Sequence, residues 1–414
     1  MNQSNAPDTT LYAGGALLDA EAARVDGHAL LVTGDRIARV APIAEFDGYS
    51  GARVDTGGMT LLPGLLDCHV HLCFGAEPDP RAAMDARLPG AVTLLALENA
   101  QASLRGGLTG LRDCGGKDYL EFPVRDACNS GRFSGPTIRC AGRMICMTGG
   151  HGHRTGRVAD GPDEVVRAVR EQIHAGSDLV KIMATGGVMT PGVNPEDAHY
   201  SAAEMAAGVG EARRFHRPTA SHAQGAEGIL NAVNAGITSI EHGIYLNQEC
   251  IELMLKAGIF LVPTFSAVRN ILAHADHGIP AFMVEKCRRV VERHQESIRM
   301  FRDAGGLIAM GTDAGTPFNR HGDNAMELRY MVDAGLTPAE ALRAATGDAA
   351  RLMGLAGAGA IAQGKNADLL LVDGDPLTDI DRAADRSHHR LVVKGGRVVA
   401  RNPAPPIPTG PPPA

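Results

Sequence analysis

Between Pro63 and about Leu355 the chain repeats one unit: a short apolar run suited to a buried strand, then a longer amphipathic stretch suited to a helix. The runs are Leu61–Leu66, Leu108–Arg112, Thr137–Met144, Leu179–Met183, Pro218–Ser221, Ser239–Glu241, Phe260–Pro263 and Leu307–Met310, eight in all. Most are separated by helix-length segments such as Pro162–His174 and Ala202–Phe215. Eight parallel βα units close into a barrel more readily than they extend an open sheet. The expected class is α/β, with a (β/α)8 TIM barrel over residues 63–355.

The flanks read differently. From Leu11 to about Leu62 the pattern is one of short strands and turns, with Gly34-Asp35 as a hairpin signal between two of them. Short strands return after Ile361, at 367–372, 390–393 and 397–399. The two ends are therefore expected to pair into one small β-sandwich domain, residues 1–62 with 356–402. Residues 403–414 are mostly Pro and read as a disordered tail.

Composition narrows the function classes. Hydrophobic residues make up 44% of the 414, enough for a large core. The net charge of -7 and the lack of a basic run argue against nucleic acid as a partner. The N-terminus lacks the basic-then-apolar pattern of a signal peptide, and no window approaches the roughly 18 apolar residues of a membrane span. A cytoplasmic homo-oligomer with no membrane partner is expected. The eight Cys are scattered without a CxxC pair and read as buried free thiols.

In a barrel of this kind the active site forms where strands end and βα loops begin. The polar residues of the chain fall there. The first strand runs into Asp67-Cys68-His69-Val70-His71, the fifth into His222, the sixth into Glu241-His242-Gly243 and the eighth into Thr312-Asp313. His69 and His71 are two apart, so on an extended strand both imidazoles face the same side. Taken alone, such a pair is as well explained by surface or hydrogen-bonded histidines. Four imidazoles and a carboxylate converging on one cavity are hard to explain without a metal. Nitrogen and carboxylate donors suit Zn2+, and also Mn2+, Fe2+ or Co2+.

Lys181 lies inside the fourth strand, between Val180 and Ile182. An uncompensated ammonium there costs several kcal/mol. Either an Asp or Glu pairs with it, or the amine reacts with CO2 to give a carbamate, an anion that can bridge two cations.

As a set these residues resemble the amidohydrolase superfamily. The matching segments are Pro63–His71, Gly107–Asp113, Val180-Lys181-Ile182, Ser221-His222-Ala223, Ile240–Gly243, Gly311–Gly315, Gly335–Leu342 and Gly364–Leu369. The chain is similar to the branch of Xaa-Pro dipeptidases, arginine carboxypeptidases and ochratoxin-degrading amidases, through Met147–His153, Ala184–Gly187, Thr316-Pro317 and His321–Asn324. Imidazolonepropionases share the layout but lack the lysine of the fourth strand. Gln224 departs from relatives that carry a second His after the strand-five histidine.

The resemblance implies two divalent metal ions, Zn2+ first and Mn2+, Co2+ or Fe2+ next. His69, His71 and Asp313 would hold one ion and His222 and His242 the other, bridged by N-carboxylated Lys181 and a hydroxide. Asp313 would shuttle the proton, with His153 donating to the developing oxyanion and Tyr245 to the substrate. His151, His153, Arg154, Tyr245 and His321 are the candidates for binding a small-molecule amide. The implied activity is hydrolysis of an amide C–N bond in a peptide or N-acyl amino acid. Carbamates, ureas and cyclic amides stay open as substrates, and a non-catalytic scaffold is the reading from another class.

Overall fold

A computed structural model describes residues 8–402. The expected Pro-rich tail, 403–414, lies outside them. The parallel strands of the middle region form two arcs. One has three strands, in the order Thr137–Cys140, Leu108–Asp113, Leu65–Val70. The other has six, in the order Arg157–Val158, Ile145–Cys146, Val180–Met183, Thr219–Ala223, Ser239–His242, Phe260–Val262. Helices such as Pro89–Arg105, Pro162–Ala175, Ala202–Arg214 and Ala226–Ala235 connect them. This is a TIM-barrel-like α/β fold. The strands are buried on both faces, hence their unbroken apolar runs.

The ladder does not run unbroken around the ring, which corrects the expectation of a closed barrel. The 307–314 segment joins its neighbours through isolated parallel bridges, Leu261 with Ile308 and Val70 with Ala314. Scattered backbone bonds support them: the Leu261 amide to Leu307 O at 2.8 Å and the Ala309 amide to Leu261 O at 3.0 Å on one side, and the Cys68 amide to Met310 O at 2.8 Å, the Asp313 amide to His69 O at 2.7 Å and the His71 amide to Ala314 O at 2.9 Å on the other. The other gap follows the third strand. Its chain turns at Gly142, φ +76°, and Cys140 meets Asp178, just before the fourth strand, through the Asp178 amide on Cys140 O and the Cys140 amide on Asp178 Oδ2.

The termini form two further sheets. The first has the order Arg36–Pro42, His28–Thr33, Thr9–Ala13, Ala52–Asp55. The second has the order Arg397–Arg401, His389–Lys394, Leu369–Asp373, Met59–Pro63, Ala16–Leu18, Arg24–Val25. Tyr12, Leu30 and Ile37 of the first share one apolar cluster with Leu61, Leu369 and Leu391 of the second. All eight cysteines are buried and free. No described helix is long and apolar enough to cross a membrane.

Candidate metal centre

At the C-terminal ends of the barrel strands one cavity is lined by His69, His71, Lys181, His222, His242 and Asp313. All six are at most 9% exposed. His71 Nε2 lies 3.2 Å from Asp313 Oδ1 and His69 Nε2 lies 3.6 Å from it. Single donor atoms of His69, His242 and Asp313 lie within 4.8 Å of one another. The His222 and His242 rings are 4.5 Å apart, and those of His69 and His242 5.2 Å.

Each imidazole has one nitrogen occupied by the protein. His69 Nδ1 pairs with Glu241 Oε2 at 2.8 Å, His71 Nδ1 with Gly115 O at 2.7 Å and His242 Nδ1 with Thr264 Oγ1 at 2.7 Å. These three keep Nε2 for the cavity. His222 does the reverse: Nε2 pairs with Gly186 O at 2.8 Å, which leaves Nδ1. Such partners fix ring orientation and tautomer around metals. Burial, and then the charges of neighbours, hold His222 and His242 well below the usual imidazole range, and His69 is brought down to about 4. Neutral imidazole is the ligating form. Burial raises Asp313, but the adjoining His69 and the hydrogen bond from His71 hold it below the usual carboxylate range.

A buried frame stands behind these side chains. Arg112 Nη2 donates to Glu241 Oε1 at 2.8 Å, so Glu241 ties a guanidinium to His69. Asp67 accepts from the amides of His69 and Thr312, from the Thr312 hydroxyl and from Asn324 Nδ2. It thereby fixes the first strand against the loop that carries Asp313. His242 and Asp313 themselves have left-handed backbones, φ +74° and +60°. Such strain in non-glycine residues collects at functional sites.

Lys181 is 1% exposed and its Nζ has no hydrogen-bond partner. No Asp or Glu among the described residues forms an ion pair with it. A lone buried amine amid four imidazoles and a carboxylate fits a group that brings positive charge to the cavity and a reaction that turns this side chain into an anion. The donor set therefore suits divalent cations.

The substrate candidates are distributed unevenly. His151 lines the cavity, with Nδ1 on Thr190 Oγ1 at 2.9 Å and its ring 4.3 Å from that of His222. His153 lies outside the lining, with Nδ1 on Gly150 O. The Tyr245 hydroxyl is spent on Glu196, and Arg154 is exposed and paired with Asp85. His321 sits behind the ligands, between Ser103 and the carbonyl of His71. None of these four side chains lines the cavity. The polar lining residues that sequence reasoning missed include Gln224, whose Oε1 is unpartnered, Arg81 and His294.

The family model for the amidohydrolase family matches residues 60–399. The chain belongs to the amidohydrolase family. Ochratoxinase from Aspergillus niger is 31% identical, over 94% of this chain and 86% of that protein. A Xaa-Pro dipeptidase structure with methionine bound in its active site superposes with a TM-score of 0.86 at 30% identity, covering 95% of this chain and all of the other. A prolidase complexed with N-methylphosphonate-L-proline gives 0.86 at 32% identity with the same coverage. This amidohydrolase is accordingly a hydrolytic enzyme, of a family that generally binds metal ions.

Proposed function

We propose that the chain is a binuclear metal-dependent hydrolase of small-molecule amides, acting on dipeptides or N-acyl amino acids. The observation that carries this reading is the unpartnered Lys181 Nζ, buried among His69, His71, His222, His242 and Asp313. His69, His71 and Asp313 would hold one divalent ion, His222 through Nδ1 and His242 through Nε2 the other. Lys181, carboxylated by CO2 with loss of a proton, would bridge the pair. When bound, the ions supply Lewis-acid polarisation of the scissile carbonyl and make a water acidic enough to react near neutral pH.

The chain's residues do the rest. Asp313, kept anionic by His69 and His71, takes the proton of the attacking water and returns it to the leaving nitrogen. His151, oriented by Thr190, donates to the carbonyl oxygen as charge develops on it. Met144, Met183, Val188 and Ile244 give the cavity an apolar wall that excludes water and accepts an apolar substituent. The relatives act in the same direction: ochratoxinase, Xaa-Pro dipeptidase and prolidase by name.

Metal analysis of purified protein tests the reading. About two divalent ions per chain are expected, with activity lost to chelators and restored by Zn2+, Mn2+ or Co2+. Lys181→Ala should lose the pair of ions, and small carboxylates added to it should restore part of the activity. Full activity in metal-free protein overturns the proposal. So does an intact ion pair in Lys181→Ala.

A further inference from the structure

The cavity holds a cation that the hydrolytic step does not use. Arg81, in the short helix Pro80–Asp85 beyond the first strand, lines the cavity and is 8% exposed. One nitrogen, Nη1, donates to Met189 O and Thr190 Oγ1, each at 2.9 Å. Its Nε has no hydrogen-bond partner. Among the described residues no carboxylate forms an ion pair with it. Burial lowers its pKa to about 10, so it stays charged at neutral pH. Asp313 and Asp79 offset part of the cost of burial from a distance, but a buried guanidinium whose hydrogen-bond partners are all neutral keeps a desolvation cost that a directly paired carboxylate would offset. Arg81 lines the cavity with no carboxylate bonded to it.

We propose that Arg81 is the residue that recognises an anionic group of the substrate, pairing with the carboxylate of an N-acyl amino acid or dipeptide. The proposal rests on the amide-hydrolase reading above and narrows it to acidic substrates. The planar fork of Arg suits two parallel bonds to a carboxylate, and pairing inside a water-poor cavity strengthens them. The Met189 and Thr190 contacts hold that fork in place. They do not explain the charge, because Lys286 anchors the same loop by itself, with Nζ bonded to Thr190 O at 2.6 Å and Val193 O at 2.5 Å. Arg81 thus couples selection to the site: Thr190, which it contacts, also orients His151.

The test compares N-acetyl-L-leucine with its carboxamide by acetate release, using metal-loaded wild type, Arg81→Gln, Arg81→Lys and Lys286→Met. Wild type should prefer the free acid by at least about tenfold in kcat/KM. The preference should fall to within about threefold of unity in Arg81→Gln, mostly through KM, and to an intermediate value in Arg81→Lys. Lys286→Met loosens the loop and should keep the preference. Binding of acetyl-leucine to metal-free protein, followed by calorimetry, should weaken in the Arg81 variants in parallel. If Arg81→Gln does not fold, Arg81→Lys and calorimetry decide. A full preference retained in the Arg81 variants rejects Arg81 and leaves the amidase reading standing. Hydrolysis by wild type without preference rejects acidic substrates altogether. Absence of hydrolysis by wild type on a panel of amides rejects the underlying function instead.

Discussion

At the scale of single residues, Asp313 carries the sharpest expectation. Its carboxylate faces His69 and His71, and its geometry is fixed from behind by Asp67 through Thr312. Asp313→Asn keeps the shape and removes the base. kcat should fall by several orders of magnitude while the circular dichroism spectrum and the unfolding transition stay close to wild type. A variant within about tenfold of wild type shows that another group moves the proton. Glu241 is the counterpart without direct chemistry. Glu241→Gln leaves Arg112 without its anion and weakens the hold on His69. Losing one partner of a buried pair costs about 3–5 kcal/mol, measurable by urea denaturation. A loss under about 1 kcal/mol would mean that water already compensates the pair.

Glu327 gives a pH-dependent case away from the ligands. It accepts from the Phe265 and Ser266 amides and the Ser266 hydroxyl, yet burial pushes its carboxyl up to about 7. The folded chain therefore holds this proton more tightly than the unfolded chain, and the resulting stability is lost as pH rises from near 4.5 through 7. Glu327→Gln does not titrate. The stability gap between wild type and variant should shrink by up to about 3 kcal/mol between pH 4.5 and 8. A gap independent of pH refutes the assigned shift. Site residues at strand ends, His69, His71, Lys181, His222, His242 and Asp313, were legible because strand period and strand end fix where they point. Arg81 was not: in Pro78-Asp79-Pro80-Arg81 it reads as one more loop cation, and only the loop from Gly187 to Val193 folding over it makes it buried.

At the scale of elements, apolar runs located the strands well where a run is one strand. Leu61–Leu66 was read as one and is two. Met59–Pro63 belongs to a terminal sheet and Leu65–Val70 to the barrel, because Gly64 crosses between them with its amide on Asp368 O. A Cβ there would lie 2.2 Å from Thr109 Cγ2, so the crossing needs glycine. The eighth run was found, but its bridges to both neighbours are isolated ones, a property of its partners that no single run can reveal. Close packing of helix on strand makes a test. In the helix Ala226–Ala235, a Cβ on Gly228 would stand 2.3 Å from Thr185 Cγ2 and 2.9 Å from Ala184 O. Ala is the better helix former by about 1 kcal/mol, yet overpacking against backbone costs about 1–3 kcal/mol. Gly228→Ala should therefore lower the melting temperature. A rise would show that the helix shifts freely, with propensity outweighing the clash.

For the whole molecule, the two strand arcs and the proposed ions are one problem. His69 and His71 come from the three-stranded arc, and Lys181, His222 and His242 from the six-stranded arc. Asp313 follows the segment that bridges them by isolated contacts. Ions held by this set would join the arcs across a seam where the backbone pairing is made by isolated bridges. They would also neutralise a cavity whose lysine has no partner. An ion that binds the folded chain alone stabilises it by about 4 kcal/mol at a thousandfold excess over Kd. Removal of the ions should then lower the melting temperature by several degrees in calorimetry, and reloading should restore it. Lys181→Ala should lose most of this dependence, while Glu327→Gln, whose side chain lies outside the ligand set, should keep it. The metal-free protein should also exchange amide hydrogens faster along 307–314 than along 219–223, since the former meets its neighbours through isolated bridges and the latter through continuous ladders. Equal melting of loaded and stripped protein would separate the site from the fold. The seam would then be held by backbone and apolar packing alone.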